Sequence, residues 1–548
     1  MVDRLYDWFD DRLNLSTGGR KAVNKIFPDH WSFMIGEIAL YSFVVLLATG
    51  VFLTLYFVPS TTEVTYTGPY VPLIGQKVSL AYMSTVNMAF DVRGGDLMRE
   101  MHHWAANIFV GAIVVHMGRV FFTGGFRRPR EMNWLIGMNL LILAIFNGFL
   151  GYSLPDDLVS GTGIRIAFSI LESIPLVGTY LASFLFNGQF PGTALIPRFY
   201  VIHVLILPAV IAGLLGAHLT LLVRQKHTQF RGHGATEHNV VGAPMWPTFI
   251  AKTQGFLFLV AGVTAILGAA VQINPIWLYG PYVPYHVTYA VQPDWYMGFL
   301  DGALRVMPSW ELTLGTWHSG FAIPNVFFPS VLLPGLVFTT AMLWPFIEAK
   351  FTGDRADHQI LDRPRDRPKR TAIGVAVFGF LLVLFGASAT DVLANYLTVS
   401  LNTVLVAFRI LVFVVPILAY PITYRICVEL QGTHRGSKTK RHNIVMRTAE
   451  GGYSTVEVVA RPGDTPPELD PVALDRSVIL GARIATVPSE PVDRSALGAR
   501  AKAAGAVAVA DGDGDGASGD GAGGDGSTDG TEDDDRARRV FRIPRSYR

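Results

Sequence analysis

The sequence predicts an all-α membrane protein: eight transmembrane helices, an N-terminal four-helix bundle followed by four further helices, and a cytoplasmic extension. Three observations predict it. Half of the 548 residues are hydrophobic and only 16% are charged, against about a quarter charged in ordinary soluble domains. Apolar runs long enough to cross a hydrocarbon layer of about 30 Å recur at approximately 31–58, 104–122, 134–152, 199–223, 248–271, 325–347, 371–394 and 402–429. The second and fourth segments carry histidines in pairs, His102 with His116 and His203 with His218.

In chain order, residues 1–30 form a polar N-terminal segment of mixed charge with no cleavable signal pattern. Residues 31–230 form the first bundle and residues 231–430 the C-terminal membrane domain. Residues 431–500 are a polar extension in which the alternation from Asn443 to Ala460 around Gly451 and Gly452 predicts a small hairpin. Residues 501–548 are Asp/Gly/Ala-rich up to a basic end and bury too little to fold.

Basic residues orient the spans. The N-terminal segment and the second, fourth and sixth connections hold 19 Lys and Arg, from Arg4 through Arg128 and Lys226 to Arg370, whereas the other connections hold only Lys77, Arg93, Arg99, Arg165, Arg198 and Arg305. The positive-inside rule then puts both termini in the cytoplasm and His102 and His203 toward the outside. A net charge of +2 averages a basic inner face with an acidic tail and does not point to nucleic acid. The single cysteine, Cys427, excludes disulfides, cysteine-ligated iron–sulfur clusters and a Cys-x-x-Cys-His haem attachment within this chain.

Fourteen residues separate His102 from His116 and fifteen separate His203 from His218. Each interval is close to four helical turns, so both imidazoles of a segment share one face at levels roughly 21 Å apart. One intramembrane histidine is more often a packed or hydrogen-bonded residue than a ligand, but matched pairs suit bis-histidine ligation of two haems b. His103 lies about 100° around the helix from His102, which leaves it packing or hydrogen bonding. Gly36 and Gly50, and Gly137 and Gly151, repeat the fourteen-residue interval. Glycine lets a macrocycle approach the backbone, and it equally lets two helices pack. Arg99, Arg198 and Arg119 flank the histidines and could meet haem propionates; interfacial snorkelling accounts for each equally well.

The stretches MREMHHWAANIFVGAIVVHMGRVFFTGGFRRPRE, GYSLPDDL, IPRFYVIHVLILP and QPDWYMGF resemble the cytochrome b subunit of the quinol:cytochrome c reductases, from about Val23 to Gln431. FPDHWSFMIGEIALYSFVVLLATG, QKHTQF, TEHNVVG, QINPIW and FTGDRADHQILDRPRDRP resemble its actinobacterial, menaquinol-oxidising branch. Asp156 and Asp157 stand where Trp-Gly is usual, and Asp294 replaces the glutamate of the PEWY signature; that branch has both features.

The resemblance implies a quinol–cytochrome c reductase subunit of the bacterial plasma membrane that works only inside a complex. Its haems would be ligated by His102 with His203 and by His116 with His218. Menaquinol would be oxidised at an outer site and quinone reduced at an inner one, coupled to proton translocation in a Q cycle. The implied partners are a Rieske iron–sulfur subunit, a di-haem cytochrome c subunit and an attached cytochrome aa3-type oxidase, in a homodimeric complex among membrane lipids.

At the outer site Asp294 is the first choice as proton acceptor, with Tyr296 and Tyr152 beside it and Asp157 as a second proton exit. An aspartate after proline also commonly caps a turn or the next helix. At the inner site Lys252 is the quinone-facing candidate, with Lys226 and His227 delivering protons; positive-inside anchoring explains all three as well. Two rival classes remain. A di-haem anchor of another dehydrogenase usually has four or five spans and no PDWY loop. A non-haem transporter should show internal repeats, and the sequence shows none.

Overall fold

The computed structural model describes residues 8, 10–12, 23–188, 190–232, 234–286, 292–315, 321–431, 440–447 and 453–460. The tail at 501–548 and most of the 431–500 extension lie outside them.

Among the described residues, eight helices are long and apolar enough to cross a membrane: Trp31–Thr54, Gly95–Thr123, Glu131–Tyr152, Leu195–Arg224, Met245–Ala270, Phe328–Thr352, Pro368–Ala387 and Leu401–Leu430. We number them as spans 1 to 8. The chain is an integral membrane protein of mostly helical fold. Large apolar side chains cover the outward faces of the later spans, among them Leu382, Phe413 and Ile417, each about two-thirds exposed. Such faces suit lipid rather than water.

Several span boundaries differ from expectation by a few residues, three of them for a local reason. Span 2 starts at Gly95 because Asp96, Arg99 and Glu100, which lower the apolar signal, are helical and held by the loop after span 5. There Glu100 Oε2 accepts from the Ile273 amide at 2.8 Å, and Arg99 pairs with Glu100 and reaches the Asn274 carbonyl. Span 1 ends at Thr54 rather than at 58, just ahead of Pro59, which disfavours helical geometry at the residue before it. Span 7 ends at Ala387, where Ser388 Oγ turns back to the Phe385 carbonyl at 2.7 Å and a separate helix, Thr390–Leu397, begins.

Span 4 is not uniformly α-helical. A π-helical turn occupies Ile202–Ile206, closed by the Leu207 amide donating to the Ile202 carbonyl, just before Pro208. Proline has no N–H to give a carbonyl in the preceding turn, so a wider turn there relieves the mismatch. The π turn adds one residue between His203 and His218. Their fifteen-residue interval thus becomes helically equivalent to the fourteen between His102 and His116.

Spans 1 to 4 surround the largest core. Phe43, Phe109, Ile113, Met138, Leu141 and Ile211 are buried there, with side chains of span 6 packed against it. Short helices Leu158–Glu172 and Gly178–Phe186 lie between spans 3 and 4, and Gly298–Val306 precedes span 6. Small antiparallel pairs pin connections, such as Ile26–Phe27 against Ala243–Pro244 and Glu63–Thr65 against Lys77–Ser79.

The described residues fall in two units, divided between Ser437 and Lys438. In the second, Lys440–Arg447 pairs with Tyr453–Ala460 in the register Lys440↔Ala460 to Arg447↔Tyr453. The expected hairpin is present and begins three residues before Asn443.

Candidate functional site

The four histidines stand at two levels of the first bundle. The His102 and His203 rings face each other with centroids 6.2 Å apart and planes at 75°. Two metal–imidazole bonds of about 2 Å each, plus the ring halves, span roughly 6 Å, so one ion fits between them.

Their outward nitrogens are locked. His203 Nδ1 lies 2.9 Å from the Asn147 carbonyl, which can only accept, so Nδ1 carries the proton. His102 Nδ1 lies 2.9 Å from Thr49 Oγ1. That hydroxyl donates to the Val45 carbonyl at 2.7 Å, so it accepts from His102. In both rings Nε2 is left as the free ligand nitrogen.

Each predicted glycine faces one imidazole at its own level. A Cβ at Gly50 would stand 3.3 Å from His102 Cε1, and one at Gly151 would stand 2.9 Å from His203 Nε2 and closer still to Cε1. At the other level, Gly36 faces His116 Cε1 at 3.1 Å and Gly137 faces His218 Cε1 at 3.7 Å. Near His116, Arg119 Nε is buried without a hydrogen-bond partner and its guanidinium lies 4.8 Å over the Phe33 ring. His116 Nδ1 also lacks a hydrogen-bond partner. A flat group with carboxylates fits these donors and clearances.

Beside the His102 level is a cavity of about 250 Å³ lined by both imidazoles and by Arg99, His103, Tyr152, Asp294 and Tyr296. The Asp294 carboxylate makes no capping bond to the short turn Trp295–Met297 that follows it. Instead its two oxygens lie 2.9 and 3.0 Å from His103 Nε2, and Tyr296 Oη donates to Oδ2 at 2.7 Å. Burial pushes the carboxyl pKa up, but the electrostatic pull of the neighbouring His103 and the bonds from His103 and Tyr296 outweigh it. The net pKa is below the ordinary carboxylate value. Burial and the Asp294 charge raise the Tyr296 phenol well above its usual range. Gly148 makes room for that phenol, since a Cβ there would sit 2.6 Å from its oxygen.

A second cavity, about 670 Å³ and almost wholly apolar, runs between spans 2, 3, 6 and 7 and also reaches Trp295 and Tyr296.

Several predicted residues are placed elsewhere. Asp157, expected as a proton exit, caps the helix Leu158–Glu172 through a capping box with Ser160, its Oδ2 accepting from the Val159 amide at 3.0 Å. Its neighbour Asp156 is pushed up to about 6 by burial and the Asp157 charge, against a lowering bond from Ser79. Arg198 does not line the His203 cavity; it donates to the Phe184 carbonyl and, at 3.4 Å, to Asn187 Oδ1, closing the end of the helix Gly178–Phe186. Arg99 does line the cavity but is already paired with Glu100 at 2.5 Å. Lys252 pairs with Asp29 at 2.5 Å with both side chains about half exposed. Lys226 reaches the His238 carbonyl at 3.4 Å. His227 is buried against Phe27, and burial, then the Lys25 and Arg130 charges, lower its pKa to about 4, so it is neutral at physiological pH.

Residues 107–281 match the family model described as cytochrome b(N-terminal)/b6/petB. The chain is 52% identical over 429 residues to the cytochrome bc1 complex cytochrome b subunit of Streptomyces coelicolor, covering 78% of each chain. The chain belongs to the cytochrome b family. Other members include the Mycobacterium tuberculosis subunit, 50% identical over 450 residues and covering 81% of this chain and 80% of that one. The Corynebacterium diphtheriae subunit is 51% identical over 428 residues, covering 78% of each. The fold is similar to that of a chain of a hyperthermophilic respiratory Complex III, with a TM-score of 0.56 at 20% identity over 77% of this chain and 98% of that chain.

Sequence reasoning missed Thr49, Asn147 and the pairing of His103 with Asp294. Thr49 had a signal, since it directly precedes Gly50 on the histidine-facing side of span 1.

Proposed function

We propose that this chain is the cytochrome b subunit of a menaquinol:cytochrome c reductase, holding two haems b and oxidising quinol beside the His102 level. The observation that carries the reading is one cavity that joins a locked imidazole pair to an ionised carboxylate. When bound, the haems supply two one-electron carriers that link an outer quinol-oxidising site to an inner quinone-reducing site in a Q cycle.

The residues have distinct tasks. His102 and His203 would hold the group at one level through Nε2, and His116 with His218 would hold the other. Arg119 offers an unpartnered donor to a propionate at the second level. Asp294, kept ionised by His103 and Tyr296, accepts a proton from the quinol hydroxyl. Tyr152 and Tyr296 shape the pocket, and the apolar cavity ending at Tyr296 suits an isoprenoid tail. Lysine and arginine counts support cytoplasmic termini in the plasma membrane. The chain lacks the cysteines for an iron–sulfur centre, so a Rieske subunit and a cytochrome c subunit complete the reaction, with an aa3-type oxidase as the electron sink.

Purification of the native complex tests this reading. The expected result is menaquinol-dependent cytochrome c reduction, with a Rieske-type electron paramagnetic resonance signal accompanying the b-type absorption. A b-type spectrum with neither the iron–sulfur signal nor that activity would make the chain an anchor of another dehydrogenase.

A further inference from the structure

The two imidazoles of span 2 are not equivalent in their surroundings. His102 gives its Nδ1–H to Thr49 Oγ1 at 2.9 Å, whereas His116 Nδ1, equally buried, has no hydrogen-bond partner. The cause lies in span 1. Gly36 and Gly50 face these two rings fourteen residues apart, and the residue before each is Ile35 in one case and Thr49 in the other. A shift of fourteen is within about 40° of four full turns on each helix, which puts Ile35 on the side of span 1 from which Thr49 accepts.

Thr49 is 4% exposed, and its own proton is committed to the Val45 carbonyl at 2.7 Å. Its lone pair is therefore a fixed acceptor. A hydrogen bond accepted from the distal N–H of a ligating imidazole makes the ring a stronger donor, and a stronger donor favours the oxidised, more positive metal. From this geometry, and resting on the two-haem reading above, we infer that Thr49 is a positioning residue that selectively lowers the reduction potential of the haem at the His102 level. The threonine–isoleucine difference on span 1 thereby helps set the two carriers apart, beside the Asn147 carbonyl, which accepts from His203 at the first level only. The process tuned is uptake of one electron by the iron, from a redox mediator in the test. No proton moves, because Nδ1–H stays on His102.

Redox titration of the whole purified complex, followed in the b-type absorption bands, reads this directly. In Thr49→Val the component at the His102 level should become about tenfold easier to reduce, an upward shift of about 59 mV for a one-electron couple. The other component should not move. Thr49→Ser, which keeps the hydroxyl, should restore the wild-type potential. Ile35→Thr, which keeps the branch at Cβ and places an acceptor near the unpartnered His116 nitrogen, should shift the second component downward by a similar amount.

If Thr49→Val retains both components at wild-type potentials, the inference is overturned. If Thr49→Val fails to bind haem, Ile35→Thr decides instead, and an unmoved second component overturns it. A wild-type complex without two b-type components would remove the haem reading itself, which separates that failure from this one.

Discussion

A Gly151→Val chain is expected to assemble with half the haem b of the wild type, the loss confined to the His203 level. A side chain at this position starts 2.9 Å from His203 Nε2 and closer still to Cε1, well inside van der Waals contact. The ring cannot simply swing away. Its Nδ1–H is bonded to the Asn147 carbonyl one turn earlier on span 3, and tipping it breaks that bond and carries Nε2 out of line with His102. Overpacking of this kind typically costs about 1–3 kcal/mol in stability, which the remaining bundle should survive. The ligand geometry, held to a few tenths of an ångström, should not. Gly36 and Gly137 are untouched, so the component at the His116 level should persist. Pyridine haemochrome quantification and a redox titration check the prediction; a variant that keeps both components would show that the glycine is ordinary helix packing.

Asp294→Asn should lower menaquinol oxidation about a hundredfold, the lower end of what a positioned proton acceptor contributes, while leaving both haem components in place. The amide is nearly the same shape and can still bond Tyr296, but it cannot take a proton. The sign of the pH dependence follows from the depressed carboxyl pKa. A group held below the ordinary carboxylate value is ionised throughout the neutral range, so the deficit should be a constant factor from about pH 5.5 to 8. Stopped-flow haem reduction by menaquinol, measured across that range, reads it. Unchanged turnover would remove Asp294 from the reaction, and a deficit that vanishes toward acid pH would mean that the carboxyl titrates there.

The spans and the histidine levels were legible because both depend on length and period, which a linear sequence carries. The beginning of span 2 was masked by Asp96, Arg99 and Glu100, whose charges are satisfied by backbone and side chains near residue 273. Fifteen residues between His203 and His218 matched fourteen only because a π turn ahead of Pro208 absorbs one; the proline was visible, its consequence was not. The helix-capping alternative was weighed for Asp294, yet it is Asp157 that caps, through the Asp-x-x-Ser pattern just before an apolar run. Asp294 meets His103 across 191 positions, and no local pattern signals such a contact. For Arg198, likewise, distance from a histidine along the chain does not say where the guanidinium goes, and it bonds at a helix end.

The residue roles proposed above all require two planar cofactors held one above the other between spans 2 and 4. The most direct measurement is the amount of haem b per polypeptide in the purified wild-type complex, with the number of redox components in its b-type absorption. Two haems b per chain, titrating as two one-electron components, is the predicted result. One haem, or none, would contradict it.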